Sequence, residues 1–375
     1  MLWKVLHSVD ANIPGLHQCP VIIVCDGYKL VGTAKRKNPY SLSKCGFIQE
    51  EAARTYEAYK TVLQHELDQL ACPQGASHRP FVLLELREHT GFALCVKHGL
   101  LYAKNTYQST HSLVLQHDRF FTTQLGAALL PWCLRAFRRH DHVRYMGFST
   151  TASLHYMAAQ RQQFRGVWDK MQDELVLSVA PQEEEQPVVL LPMMFWYDSN
   201  HLVHIDRALQ LYTPFKTVPE PLHAAFGGKP GVRLLHLRIG DFIEDRLGQQ
   251  QRNIFNRLAE DLLQSRGRGE DATSLRRQEE ELHQVVRLFG CYLVVPVETG
   301  GSEACAKALQ DQESGVRVRG VDTVLVSTKT VIMHAKGRTR PAPASRKMVD
   351  CTPAEERKSA GLARPLAEVV TRRDA

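Results

Sequence analysis

"CPVIIVCDGYKLVG", residues 19–32, decides how the rest of the chain is read. Val21 to Cys25 are apolar without alternation, which predicts a strand buried on both faces and hence a parallel sheet. Asp26-Gly27 closes it. A polar loop, "TAKRKNPYSLSKCG", comes next. "FIQEEAARTYEAYKTVLQHELDQL" then follows helical spacing through Ala53, Tyr56, Tyr59, Val62 and Leu63. "RPFVLLELRE" reads as a second strand and "GFALCVKHGLLYAKNTY" as a second helix. "THSLVLQHDRFF", from Thr110, is a third strand that stops at Gln116-His117-Asp118-Arg119. The order β-α-β-α-β is that of a nucleotide-binding α/β sheet, where ligands gather at the carboxyl ends of strands. Asp26 and Asp118 both stand at such ends.

Downstream, "GAALLPWCLRAFRRHDHVRYMGF" predicts a helix and a strand around Val143 to Phe148, and "ASLHYMAAQRQQFRGVWDKMQDEL" a helix. "APQEEEQP" is a solvated loop. "VVLLPMMFWYDSNHLVH" reads as a strand running into acids and a His. "GVRLLHLRIGDFIEDRLGQQQRNIF" reads as a strand with a helix starting near Glu244, and "FGCYLVVPVE" as a late strand. The polar stretch around Ser265–Gln278 has the look of an exposed insertion. From about Ala335 the chain turns rich in Pro, Ala and basic residues, the composition of a disordered tail.

The 375 residues, 43% hydrophobic and 23% charged, suffice for one large α/β domain or for two. A net charge of +7 suits polyanionic partners without proving them. Nine scattered cysteines without a CxxC pair indicate a reducing compartment, nucleus or cytosol. No secretory signal and no membrane span are expected.

A nucleotide-sugar enzyme must hold a base and ribose and offset the charge of a leaving diphosphate. A divalent cation on one or two carboxylates does the second task. Asp26 and Asp118 suit that layout, and "GFALCVKHGLLYAKNTYQSTHSLVLQHD" resembles the sugar-nucleotide core of GT-A-fold glycosyltransferases. There a Gly-x-Ala helix leads to a strand ending in Asp-x-Asp. Here Gln116 replaces the first acid. "VIIVCDGYK", "VLQHDRFF", "FWYDSNHL" and "GDFIEDRLGQ" together are similar to the group around the base J glucosyltransferase of kinetoplastids, over roughly residues 18 to 295.

That resemblance implies a GT-A-like three-layer α/β/α sandwich with a mostly parallel central sheet. It would fill residues 1–330, with a nucleotide-sugar half at 18–150 and an acceptor half at 151–330, ahead of a disordered basic tail at 335–375. It implies transfer of glucose from UDP-glucose to hydroxymethyluracil in DNA, in the nucleus, with Mn²⁺ or Mg²⁺. Asp26, Gly27, Gln116, His117 and Arg119 would contact the donor. Asp118 and His201 would hold the metal. Asp245, Glu244 or Asp198 would be the general base. "QQQR" at Gln249–Arg252 echoes an acceptor-side motif without its usual Trp.

Plainer readings stand beside these. Asp-Gly is a common turn pair. Glu244-Asp245 also suits the first turn of a helix, where acids match the macrodipole. "RAFRRHDHVR" is a phosphate-tracking patch or an amphipathic helix end. A cytosolic transferase acting on protein or glycan would share the same core. An inactive scaffold would explain Gln116.

Overall fold

The computed structural model describes residues 1–32, 45–71, 79–122 and 129–148, scattered positions between 150 and 171, then 177–178, 188–212 and 237–298. It also describes three further strands, Gly315–Val318, Val321–Val326 and Ile332–His334. The readings made for most of 33–46, for 180–187, for 231–236 and for the tail fall outside these residues.

The protein is mixed α/β. Val21–Cys25 and Phe81–Glu85 pair in parallel, as their unbroken apolar runs predict. The central sheet has eight described strands, and its core is five in the order Val188–Pro192, Cys291–Glu298, Tyr145–Phe148, His201–His204, His111–Val114. It is mixed, which corrects the expectation of a mostly parallel sheet. Only Cys291–Glu298 and Tyr145–Phe148 run parallel; the other three pairings are antiparallel. His201–His204, a return strand inserted between His111–Val114 and Tyr145–Phe148, makes two of these, and Val188–Pro192 against Cys291–Glu298 makes the third. The parallel pair at the N-terminal side makes its own two-stranded sheet.

Helices cover both faces of the five-strand sheet. On one face, Tyr145, Val203, Leu191 and Leu293 pack with residues of helices Phe92–Tyr107, Ile205–Tyr212, Gln249–Gly267 and Ala272–Phe289. On the other, Met146, Phe148, Leu190, Leu202 and Tyr292 pack against Leu129–Arg139, whose Trp132 and Phe137 are fully buried. Each such ring contributes about 1.5–3 kcal/mol by leaving water. Cys25, Cys95, Cys133 and Cys291 are buried free thiols, and burial pushes those of Cys95 and Cys133 up to about 12. No described helix is long and apolar enough to cross a membrane.

Three sequence readings change. Helix Glu50–Ala71 buries Ala53, Leu63 and Leu67, while Tyr59 and Val62 stay exposed, so its inner face is narrower than the apolar spacing suggested. "VVLLPMMFWYDSNHLVH" is two strands, broken by a buried irregular stretch at 193–200. The supposed exposed insertion is the tip of a helical hairpin. Asp271 caps its second helix by accepting from Thr273 N and Ser274 N. The inner faces, with Leu258, Leu262, Leu282 and Val285, belong to the main core.

Candidate functional site

Asp26 follows the first strand, and its carboxylate is fully engaged. Oδ1 accepts from Thr90 N (2.7 Å) and Thr90 Oγ1 (3.0 Å). Oδ2 accepts from Gly91 N (2.9 Å) and pairs with His89 Nδ1 (2.7 Å). A carboxylate has about four lone-pair sites, so a nucleotide would have to displace a protein donor to reach this one. Asp26 therefore holds the loop that starts helix Phe92–Tyr107. Gly27 is required there because a Cβ would run into the Glu88 backbone.

The same loop reaches a second segment. Gly240 N donates to Thr90 O (2.9 Å), and Ala93 N to Asp241 O (3.1 Å). A Cβ on Gly91, whose φ is 84°, would lie 2.5 Å from Gly240 Cα. Asp241 Oδ2 accepts from Arg238 N and Arg246 Nε, fixing the turn before the acidic pair. Glu244–Gly248 is a single π-helical turn that opens the long helix. Such turns are rare and concentrate at functional sites. Asp245 is exposed and Glu244 half-buried.

Asp198 is only 5% exposed and accepts from Glu244 N (3.1 Å). Burial pushes its carboxyl well above the usual carboxylate range, and the charges of Glu244 and Asp245 add to this; backbone N–H groups of Glu244 and Ile243 oppose it. Two residues on, Asn200 is fully buried. Its Oδ1 accepts from Gln116 N (2.9 Å) and its Nδ2 donates to Arg119 O (3.0 Å). Asn200 thus clamps the Gln116–Arg119 turn that carries Asp118. Inside that turn, Arg119 Nε donates to Gln116 Oε1 (3.1 Å). His117 is exposed and Asp118 half-buried.

His201 is fully buried. Its Nδ1–H donates to Ser199 O (2.5 Å), and the ring stacks on Tyr145 at 4.4 Å. That bond fixes the tautomer and leaves Nε2 with a lone pair. Nε2 has no hydrogen-bond partner among the described residues. Burial pulls the imidazole down to about 4. Among the described residues, no three His, Cys, Asp or Glu side chains stand together as a metal site. Mg²⁺-type ions are held by one or two carboxylates plus substrate phosphates, so Asp118 fits such an ion only with a diphosphate present.

Sequence reasoning passed over Thr90, Gly91, Asn200 and Asp241. The signal for the first two was a Thr-Gly pair just before a helical run, a helix-start pattern. Asn200 left no comparable signal, because its bonds span more than 80 residues. Trp196 is core, with Nε1 donating to Phe289 O. In "RAFRRHDHVR", Arg144 serves the backbone, donating to Leu288 O and Arg207 O.

No protein-family model, curated protein or solved structure matches this chain.

Proposed function

We propose that the protein is a UDP-sugar-dependent glycosyltransferase of GT-A-like fold that places glucose on hydroxymethyluracil in DNA. One observation supports the reading: hydrogen bonds, with short stretches of chain between them, link the segments that carry the acidic motifs. The series runs from Asp26 through Thr90 to Gly240, along the chain to Glu244, across to Asp198, and through Asn200 to the Gln116–Arg119 turn. Segments more than 200 residues apart in sequence are thereby held in one arrangement, as a two-substrate site requires.

Within it the residues divide by surroundings. Asp118, with His117 and Arg119 beside it, faces the donor's diphosphate, where positive charge stabilises the departing group. A bound divalent ion would supply further charge there. A general base must reach the acceptor hydroxyl. The exposed Asp245 suits this better than Asp198, which is buried and occupied in holding the start of the acidic turn. Glu244 stands between the two. The net charge of +7 suits a DNA acceptor and a nuclear setting.

A second reading, an inactive scaffold, is favoured by two observations: the Asp26 carboxylate is saturated by protein donors, and the Gln116 side chain is engaged by Arg119. A transfer assay separates them. Labelled UDP-glucose and hydroxymethyluracil DNA, with Mn²⁺ or Mg²⁺, should yield labelled DNA with the wild type. With Asp118→Ala, the yield should fall by roughly a hundredfold. Equal labelling by both proteins would remove Asp118 from the site. Neither labelling nor UDP-glucose hydrolysis by the wild type would favour the scaffold.

A further inference from the structure

Resting on the DNA-acceptor reading, we propose that the loop Arg238–Phe242 is a wedge that enters the base stack of DNA beside the base being modified. Ile239 is 58% exposed and Phe242 40% exposed, a pairing of large apolar side chains at the edge of an otherwise polar site. Gly240, with φ of 84°, makes the sharp turn between them.

The loop is stiff despite that exposure. Asp241 Oδ2 accepts from Arg238 N (2.7 Å) and Arg246 Nε (2.9 Å), and Asp241 N donates to Arg238 O (3.1 Å). Gly240 and Asp241 are tied to Thr90 and Ala93, and the Phe242 ring stacks on Phe92 at 6.0 Å and 21°. A rigid apolar tip can keep two base steps apart; a mobile one folds back onto the protein.

Position selects the occupant. Phe242 lies two residues before Glu244 and three before Asp245, the acids expected to face the acceptor hydroxyl. A base drawn out of a duplex to meet them leaves a gap, and proteins fill such gaps with inserted Ile, Leu or Phe side chains.

The test uses duplex DNA carrying hydroxymethyluracil with 2-aminopurine as its neighbour, whose fluorescence rises when it unstacks. Wild-type protein should raise the signal, and an Ile239→Ala/Phe242→Ala variant should lose most of the rise, about threefold or more, at saturating protein. The variant should still bind DNA with the same salt dependence, and Ile239→Leu should keep the rise. An equal rise from the double variant, or none from the wild type, overturns the wedge and leaves Ile239 and Phe242 to a protein partner. UDP-glucose turnover without DNA is measured in parallel. Unstacking without any donor turnover would overturn the transferase reading and uphold the wedge.

Discussion

Asp26 and Asp118 each come shortly after a strand of the fold, yet the segments that carry them are held in opposite ways. Asp26 gives all its acceptor capacity to Thr90, Gly91 and His89, so it works on its own protein. The turn bearing Asp118 is instead fixed from outside, through backbone groups, by the buried amide of Asn200. A strand-end carboxylate that ties its own loop and one whose turn is clamped through backbone groups look identical in sequence. The difference lies in which partner supplies the donors.

Substitutions can break or sharpen that contrast. The largest loss of stability is expected at Gly91, on the Asp26 side. Alanine there faces both a backbone conformation suited to glycine and the Cα of Gly240. We expect Gly91→Ala to cost about 3–5 kcal/mol in urea unfolding. Next comes Asp26→Ala, which strands two backbone N–H groups and should cost about 2–4 kcal/mol. Asp118→Ala, by contrast, should change stability by less than about 1 kcal/mol while removing transfer. A comparable stability loss at both acids would erase the distinction.

Asn200→Ala sharpens it from the other side. The change leaves Gln116 N and Arg119 O without their partner, at about 2–3 kcal/mol. It should also weaken donor use, because it loosens the turn that carries Gln116, His117 and Arg119, visible as a raised KM for UDP-glucose.

The smallest effects concern protons. Burial pulls His111, His142 and His201 down to about 4, so these histidines are neutral in the fold. Their folded values lie below the unfolded value near 6.5, so the stability they contribute is full above pH 6.5 and is lost as pH falls from there towards 4. The urea midpoint should drop across that window, less steeply in a His201→Gln variant. Asp198 has the opposite sign, its carboxyl being raised. Asp198→Asn keeps an acceptor for Glu244 N and should leave the protein at neutral pH as stable or slightly more so. Retained transfer in that variant, with loss in Asp245→Asn, would separate the positioning acid from the base.

Much of the frame was legible in the sequence. Val21–Cys25, Phe81–Glu85 and helix Phe92–Tyr107 stand where unbroken apolar runs and helical spacing put them, because local burial and period dictate such elements. The mixed direction of the sheet was not legible. It depends on His201–His204 returning between two strands distant in sequence, and no local pattern encodes that. The helical hairpin was misjudged for a related reason. Its polar turn dominates the composition around Ser265, while the apolar stripes that bury it are sparse and visible only as 3.6-residue spacing. Asp26 and Asp118 come after strands as the sequence indicates, but the partners that hold their segments were not legible. Saturation of Asp26 rests on donors 63 to 65 residues away, and the Asn200 clamp on partners more than 80 away.

The wide turn at Glu244–Gly248 sets the angular phase between the acidic pair and the rest of its helix. Each residue of a regular helix advances about 100°. A chain shortened by one residue within this turn would therefore keep Ile254, Phe255 and Leu258 seated in the core and swing Glu244 and Asp245 about a third of a circle from where Asp198 now meets them. At this point on the molecule, a single codon lost would re-aim a pair of charges instead of unravelling a helix.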